Sequence, residues 1–272
     1  MISIVRKSVR AAKRAIQDRE DKKFLAPNPL IDDVYLVSFP KSGNHWLRFL
    51  IANAIKTHFE IDREVNFFTI DGIIPNIHVK SGALRECGPF GRPDLPRIIK
   101  SHRTYTPHYN RVILLVRDPR DVMVSHYHFL KDRQLIDQGT SLSQFVRHPN
   151  HGAPAWATHT LGWYSTFEPG QNIQLFRYED FLERPQYQLA RLMSLLGIPV
   201  NQAALEEAVD LSSKQNMKKS GNVHRSVVVT QILEAPLVRQ AMATQGRELD
   251  PSDRQYIEET TRDVARMVGY HY

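Results

Sequence analysis

Val34-Tyr35-Leu36-Val37-Ser38, running on into Phe39-Pro40-Lys41-Ser42-Gly43-Asn44-His45-Trp46, is the stretch that decides the fold. The first five residues are apolar and rich in strand formers, and beyond the turn Trp46, Leu47, Leu50, Ile51 and Ala54 recur at helical spacing. A buried strand therefore feeds a helix N-terminus. At such a junction several backbone N–H groups lack an intrahelical acceptor and point, with the positive end of the helix dipole, into the turn. Gly43 lets the backbone curl round an oxyanion, and Lys41 adds a mobile positive charge. The stretch is either a cradle for a phosphate-like anion or an ordinary strand-turn-helix junction with a solvated lysine.

Spacing narrows the first alternative. The loop of nucleoside triphosphatases reads G-x-x-x-x-G-K-[ST], with its lysine after the last glycine. Here Lys41 comes two residues before the only glycine of the turn, and Asn44, not Ser or Thr, follows that glycine. The order argues against ordinary ATP hydrolysis.

Further strand-like segments follow. Arg111 to Val116 has the apolar character of a buried parallel strand, and Arg117-Asp118-Pro119-Arg120-Asp121 then opens an amphipathic helix through about Phe129. Asp118 suits the N-cap, and Pro119 suits the first turn. Ile98-Ile99-Lys100-Ser101-His102 reads as a short strand with a polar tip, and Ile173 to Asp180 as a strand with an acidic exit. Taken singly, these residues have bland roles too: Arg117 in an ion pair with Asp118 or Asp121, Ser125 as a solvated helix position, His102 as one of 12 histidines, and Trp46 as a core aromatic. Trp156 and Trp163, seven apart, fit a buried helix stripe.

In chain order, Pro40-Lys41-Ser42-Gly43-x-x-Trp46, Lys100-Ser101-His102, Arg117 with Ser125 eight residues on, and Tyr178-Glu179-Asp180 resemble the sulfotransferases that use 3′-phosphoadenosine 5′-phosphosulfate (PAPS), of the cytosolic type. The resemblance covers roughly residues 34–217 and, loosely, a final helix from about Ser252 to Val268. It implies a three-layer α/β fold with a P-loop-like, mainly parallel central sheet of about four or five strands, flanked by helices. It also implies transfer of a sulfuryl group from PAPS to a hydroxyl or amine, with no metal required. By the same resemblance His102 is the general base, and Lys41 and Lys100 serve catalysis. Lys41, Ser42, Gly43, Asn44, His45 and Trp46 hold the 5′-phosphosulfate and adenine, Arg117 and Ser125 hold the 3′-phosphate, and Tyr178, Ser212 and Met217 lie along the nucleotide. An imidazole titrating near about 6.5 is suited to taking an alcohol proton at neutral pH.

Two departures stand out. Asn44-His45 replaces the Thr-Thr that usually precedes the tryptophan, putting an imidazole where a hydroxyl binds phosphate. The late Arg-Lys-Gly and Gly-Asp-Trp run is missing, and Lys218-Lys219-Ser220-Gly221 with Arg225 falls in its place.

A chain of 272 residues, 42% hydrophobic and 24% charged, suits one large α/β domain, here taken as residues 30–272. Cys87 is the only cysteine, which excludes internal disulfides; with no leader-like or membrane-spanning run, a cytoplasmic protein is the expectation. Residues 1–23 hold eight Lys and Arg against three Asp and Glu, most of the net charge of +7. Their apolar residues recur at helical steps, so residues 1–25 form a basic amphipathic extension that either lies on an anionic membrane surface or packs on its own domain. Ala26-Pro27-Asn28-Pro29 is the linker. The Gly- and Pro-broken stretches 71–97 and 136–155 suit the walls of an acceptor pocket for a small molecule, lipid or carbohydrate. His126 and His128 face different sides of a helix, which disfavours a metal pair. Nucleic acid is not the expected partner. The rival readings are a nucleotide kinase or other NTPase, with Asp118 as metal ligand, and a basic nucleic-acid or membrane-binding module built on residues 1–23.

Overall fold

The computed structural model describes residues 22–26, 28–78, 87–165, 173–217 and 245–272. Residues 1–21, most of the basic extension, and Arg225 with its neighbouring Lys218, Lys219, Ser220 and Gly221 lie outside them.

Four strands make one sheet: β1 (Val34–Ser38), β2 (Ile98–Ser101), β3 (Arg111–Val116) and β4 (Ile173–Arg177), in the order β2-β1-β3-β4. Every pairing is parallel. Parallel neighbours need crossovers, which here are mostly helices that cover both faces. On one face lie α1 (Asn44–His58), α6 (Pro185–Leu196) and α7 (Gln202–Leu211); on the other lie α2 (Pro119–Asp132), α4 (Ala153–Tyr164) and α8 (Pro251–Met267). Two short helices, α3 (Leu142–Val146) and α5 (Tyr178–Glu183), lie between these.

Strand alternation supplies both cores. Tyr35, Val37, Ile99, Val112, Leu114 and Val116 meet Val122, Trp156, Trp163, Ile257 and Ala265 on one face. Val34, Leu36, Ile98, Ile113, Leu115 and Phe176 meet Leu47, Leu50, Leu189, Leu192 and Leu205 on the other. Trp156 and Trp163 are completely buried, as their spacing implied. No helix among the described residues is long and apolar enough to cross a membrane.

The register places the functional ends. Val37 lies opposite Ser101, Ser38 opposite Leu115, and Val116 opposite Arg177, so Phe39, His102, Arg117 and Tyr178 all leave the same carboxyl edge. Asp118 caps α2 by accepting the Arg120 N–H at 2.9 Å, with Pro119 in the first turn. Two boundaries differ from the sequence reading. α2 runs on to Asp132 rather than ending near Phe129. The strand read through Asp180 stops at Arg177, and Tyr178 starts α5, whose first turn carries Glu179 and Asp180 where the helix dipole favours acids.

At the opposite, amino edge, Arg97 binds Asp33 through Nε to Oδ1 and Nη2 to Oδ2, both at 2.6 Å and both side chains buried. This fork locks the residue before β2 to the residue before β1. Removing one partner strands the other charge, so Asp33→Ala should destabilise the fold by about 3–5 kcal/mol. A urea midpoint unchanged from wild type would show that the pair carries no stability.

Candidate active site

Lys41 and Gly43 both adopt the left-handed backbone region, at φ 68° and 97°. Gly43 is needed twice over, because a Cβ there would lie 2.4 Å from Cδ2 of Tyr178. No side chain caps α1, so the N–H groups of its first turn stay open to the loop. Instead, the buried Asn44 Nδ2 donates back to the Leu36 carbonyl and the Ser38 hydroxyl, each at 3.1 Å. Ser42 Oγ and Asn44 Oδ1 are buried with no hydrogen-bond partner among the described residues. Of the two, only the Ser42 hydroxyl can donate, and beside the open amides it suits an anion; the Asn44 oxygen is an acceptor and does not.

Two lysines converge on this turn. Lys41 Nζ stands 4.5 Å from the centre of the Phe129 ring. Burial, then the charges of Arg133 and Arg117, lower its pKa to about 8. Lys100 is only 4% exposed, and burial with the Arg48 charge lowers it to about 7. Neither ammonium is ion-paired or hydrogen-bonded among the described residues. His45 projects from the first turn of α1 and is exposed; loss of hydration from surrounding protein, then the charges of Lys100, Arg48 and Lys41, push its pKa down.

His102 sits beside the end of β1 because β2 pairs with β1 in the register above. Its Nδ1 lies 2.7 Å from the Ser38 carbonyl. A carbonyl only accepts, so Nδ1 carries the proton and Nε2 presents a lone pair. Burial and Lys100 keep the ring neutral, against a smaller opposite effect of the Ser38 bond. The His102 backbone N–H donates to Nε2 of His78 at 2.7 Å, and the two rings stack at 5.8 Å.

Arg117 is buried, donates from Nη1 to the Lys41 carbonyl at 3.2 Å, lies 3.6 Å from Asp121 Oδ2, and stands 4.7 Å over the Tyr178 ring. The ion pair with Asp121 weighed from sequence is thus present, together with a direct tie to the anion turn. Ser125 lies two turns along α2, half-buried. Trp46 donates from Nε1 to the Ser212 carbonyl at 3.0 Å and meets Tyr178 edge-on at 5.5 Å. Ser212 is fully buried, its hydroxyl accepting from Asn53 at 3.0 Å, and Met217 is buried near by. Trp46 and Ser212 thus form one wall rather than two separate contacts.

Several site residues escaped the sequence reading. Arg48 is fully buried on α1, donating from Nη2 to Asp71 at 2.5 Å and to the Ile74 carbonyl. This clamps the segment that carries Pro75 and Ile77, which bond the backbone of Lys100 at 2.8 and 3.0 Å. The available signal was an arginine inside the apolar run Leu47 to Ile55. Asp118, the rival metal ligand, is instead engaged by Arg120, whose Nη2 reaches Oδ2 at 2.6 Å, while it caps α2. His126 is buried against Phe39 and Phe145, whereas His128 meets Glu248 at 2.9 Å, so the two histidines part as helical spacing demands.

Fold and geometry define an α/β domain that gathers an uncapped helix start, two lysines and a neutral histidine at the carboxyl edge of a parallel sheet. Residues 31–262 match the Sulfotransferase domain family, and the chain belongs to it. It is 26% identical over 218 residues to cytosolic sulfotransferase 7 of Arabidopsis thaliana, covering 70% of this chain and 65% of that protein. It is likewise 26% identical to human sulfotransferase 1C2, covering 75% of this chain and 71% of the human protein. The chain thus spans about two thirds of the length of these relatives. Among solved structures, a retinol dehydratase with androsterone and the inactive cofactor PAP shares the fold at a TM-score of 0.67 and 17% identity, over 90% of this chain and 84% of the other. A mouse sulfotransferase complexed with PAP does so at 0.63 and 19%, over 90% and 86%.

Gly43→Ala forces a side chain into a left-handed position and against Tyr178, and should destabilise the protein by about 1–3 kcal/mol. Wild-type stability for that variant in a denaturant titration would show that the loop does not need glycine there.

Proposed function

We propose that this sulfotransferase moves the sulfuryl group of PAPS to a hydroxyl or amine of a small-molecule, lipid or carbohydrate acceptor, releasing adenosine 3′,5′-bisphosphate (PAP). The observation that carries the proposal is the bond from His102 Nδ1 to the Ser38 carbonyl, which leaves Nε2 unprotonated within reach of the Lys100 charge. In the reaction, the acceptor oxygen forms a bond to sulfur as its proton passes to Nε2. The bond from sulfur to the 5′-phosphate oxygen breaks, and its electrons stay on that oxygen. Lys41 and the open N–H groups at the start of α1 stabilise this growing charge, while Lys100 serves the sulfuryl oxygens; a preorganised donor of this kind is worth about 2.7–4 kcal/mol in a transition state. Arg117 and Ser125 are assigned the 3′-phosphate, and Trp46, Tyr178, Ser212 and Met217 the nucleoside. A cytoplasmic enzyme fits this reading, with residues 1–23 as a peripheral membrane contact.

The test is a panel of phenols, sterols and saccharides incubated with labelled PAPS. Label should pass to at least one class, and His102→Ala should slow that transfer by about 10²–10⁴-fold while binding PAP as well as wild type. Transfer at the wild-type rate would remove His102 from the mechanism, whereas Mg²⁺-dependent ATP turnover without sulfuryl transfer would favour the kinase reading.

A pH dependence follows from the lysines. Free Lys41 and Lys100 titrate at about 8 and 7, and a bound phosphate favours their charged forms. PAP binding should therefore take up protons between about pH 7 and 9, and affinity should fall as pH rises, by at most about tenfold per pH unit for each lysine. Calorimetry in buffers of different ionisation enthalpy reads the uptake directly; proton release, or affinity rising with pH, would contradict it.

A further inference from the structure

Arg133, the residue that closes α2, has no part in the chemistry above. Its guanidinium lies 4.6 Å from the centre of the Phe129 ring, the ring that also carries the Lys41 ammonium at 4.5 Å. Phe129 thus holds two cations at once. An aromatic face attracts each of them, but it does nothing for their mutual repulsion. Asp132 offsets Lys41 in part, but Arg133 itself forms no ion pair among the described residues, and its Nε is buried there without a hydrogen-bond partner. Its charge is felt in the cradle, where it helps lower Lys41 and His45. Part of the residue remains solvent-accessible.

Position separates Arg133 from the nucleotide. Ser125, Phe129 and Arg133 follow one another at four-residue steps along one side of α2. The Ser125 end points back toward Arg117, and Phe129 lies against Lys41, where the sulfuryl group is handed over. Arg133 is one step farther on, past the handover point. The nucleotide's charges already have Lys41, the start of α1 and Arg117 to match them.

Resting on the sulfotransferase reading, we infer that Arg133 and the edge of Phe129 form a subsite for an anionic group carried by the acceptor: a carboxylate, sulfate or phosphate ester near the hydroxyl that is sulfated. The guanidinium fork suits two oxygens of such a group, and the aromatic ring beside it supports an apolar or ring-shaped body.

The test uses PAP-saturated full-length protein and two probes that differ only in charge, 3-(4-hydroxyphenyl)propanoate and its amide, with binding followed by calorimetry. The carboxylate should bind about tenfold tighter or more, and added salt should shrink the difference. Arg133→Gln should bring the two probes to within about twofold while changing PAP affinity, through the nearby Lys41, far less than it changes that of the carboxylate. Equal binding of the probes to wild type, or no measurable binding of either, would overturn the subsite. So would an Arg133→Gln variant that loses PAP as strongly as it loses the carboxylate, since Arg133 would then belong to the nucleotide. Failure of the underlying reading looks different: wild type would bind PAP no better than AMP, and both proposals would fall.

Discussion

The buried amide of Asn44, bonded to the Leu36 carbonyl and the Ser38 hydroxyl, holds the turn between β1 and α1 against its own strand. With that tie in place, the chain passes through left-handed residues at Lys41 and Gly43 and enters α1 without a side-chain cap, so its first-turn amides stay open to the turn. The same few residues also orient His102, the proposed base, since the Ser38 carbonyl receives its Nδ1 from the neighbouring strand. Parallel pairing of β1 and β2 makes this possible, as only strands running the same way bring both exits to one edge. Arg117 adds a third strand to the arrangement by bonding the Lys41 carbonyl. The turn after β1, His102 and Arg117 are therefore one hydrogen-bonded unit.

That unit carries a standing electrostatic cost. Lys41, Lys100 and Arg48 crowd a cleft where burial penalises charge, and Asp71 is the carboxylate that offsets Arg48. For the two lysines the folded values lie below the unfolded value of about 10.4. The unfolded chain then binds more protons between about pH 7 and 10, so the penalty on folding is full below about pH 7 and relaxes as pH rises through that window. A tightly bound anion removes the penalty at neutral pH. Stability given up in the free protein thus reappears as affinity, a pattern expected where a site is built for charge it does not itself contain.

Much of this was legible in the chain. The strand and helix starts at Val34, Arg111 and Pro119 announce themselves through apolar runs, Gly43, Asp118 and Pro119, because those signals act over a few residues. The pairing of Lys41, His102 and Arg117 at one edge came from motif order, and the register bears out their shared edge. What was not legible depends on distant contacts. Arg48 looked like one more position on an apolar helix until Asp71 and Ile74, more than twenty residues on, were seen to receive it. Tyr178 read as strand because its apolar lead-in continues the β4 pattern; its placement is settled by Gly43, far away in sequence, whose missing side chain leaves room for the ring. Ser212 was placed along the nucleotide by resemblance alone; what no local pattern shows is that its hydroxyl accepts from Asn53 and its carbonyl from Trp46.

The boundary between legible and illegible also divides the two substrates. The assigned nucleotide residues described here stand at strand exits and on the helices that pack against them, elements whose periodicity is written in the chain. In the proposed reading the acceptor side lies beyond Phe129 and Lys100: the end of α2, the segment clamped by Arg48, and the stretch after Asp132. These parts are tied down by single side chains such as Asp71 and His78, so exchanging one residue there alters the pocket without disturbing the sheet. A fold that fixes donor chemistry in its regular elements and leaves acceptor choice to such segments can change acceptor cheaply. Arg133 stands where the two meet, on the last residue the regular helix still positions.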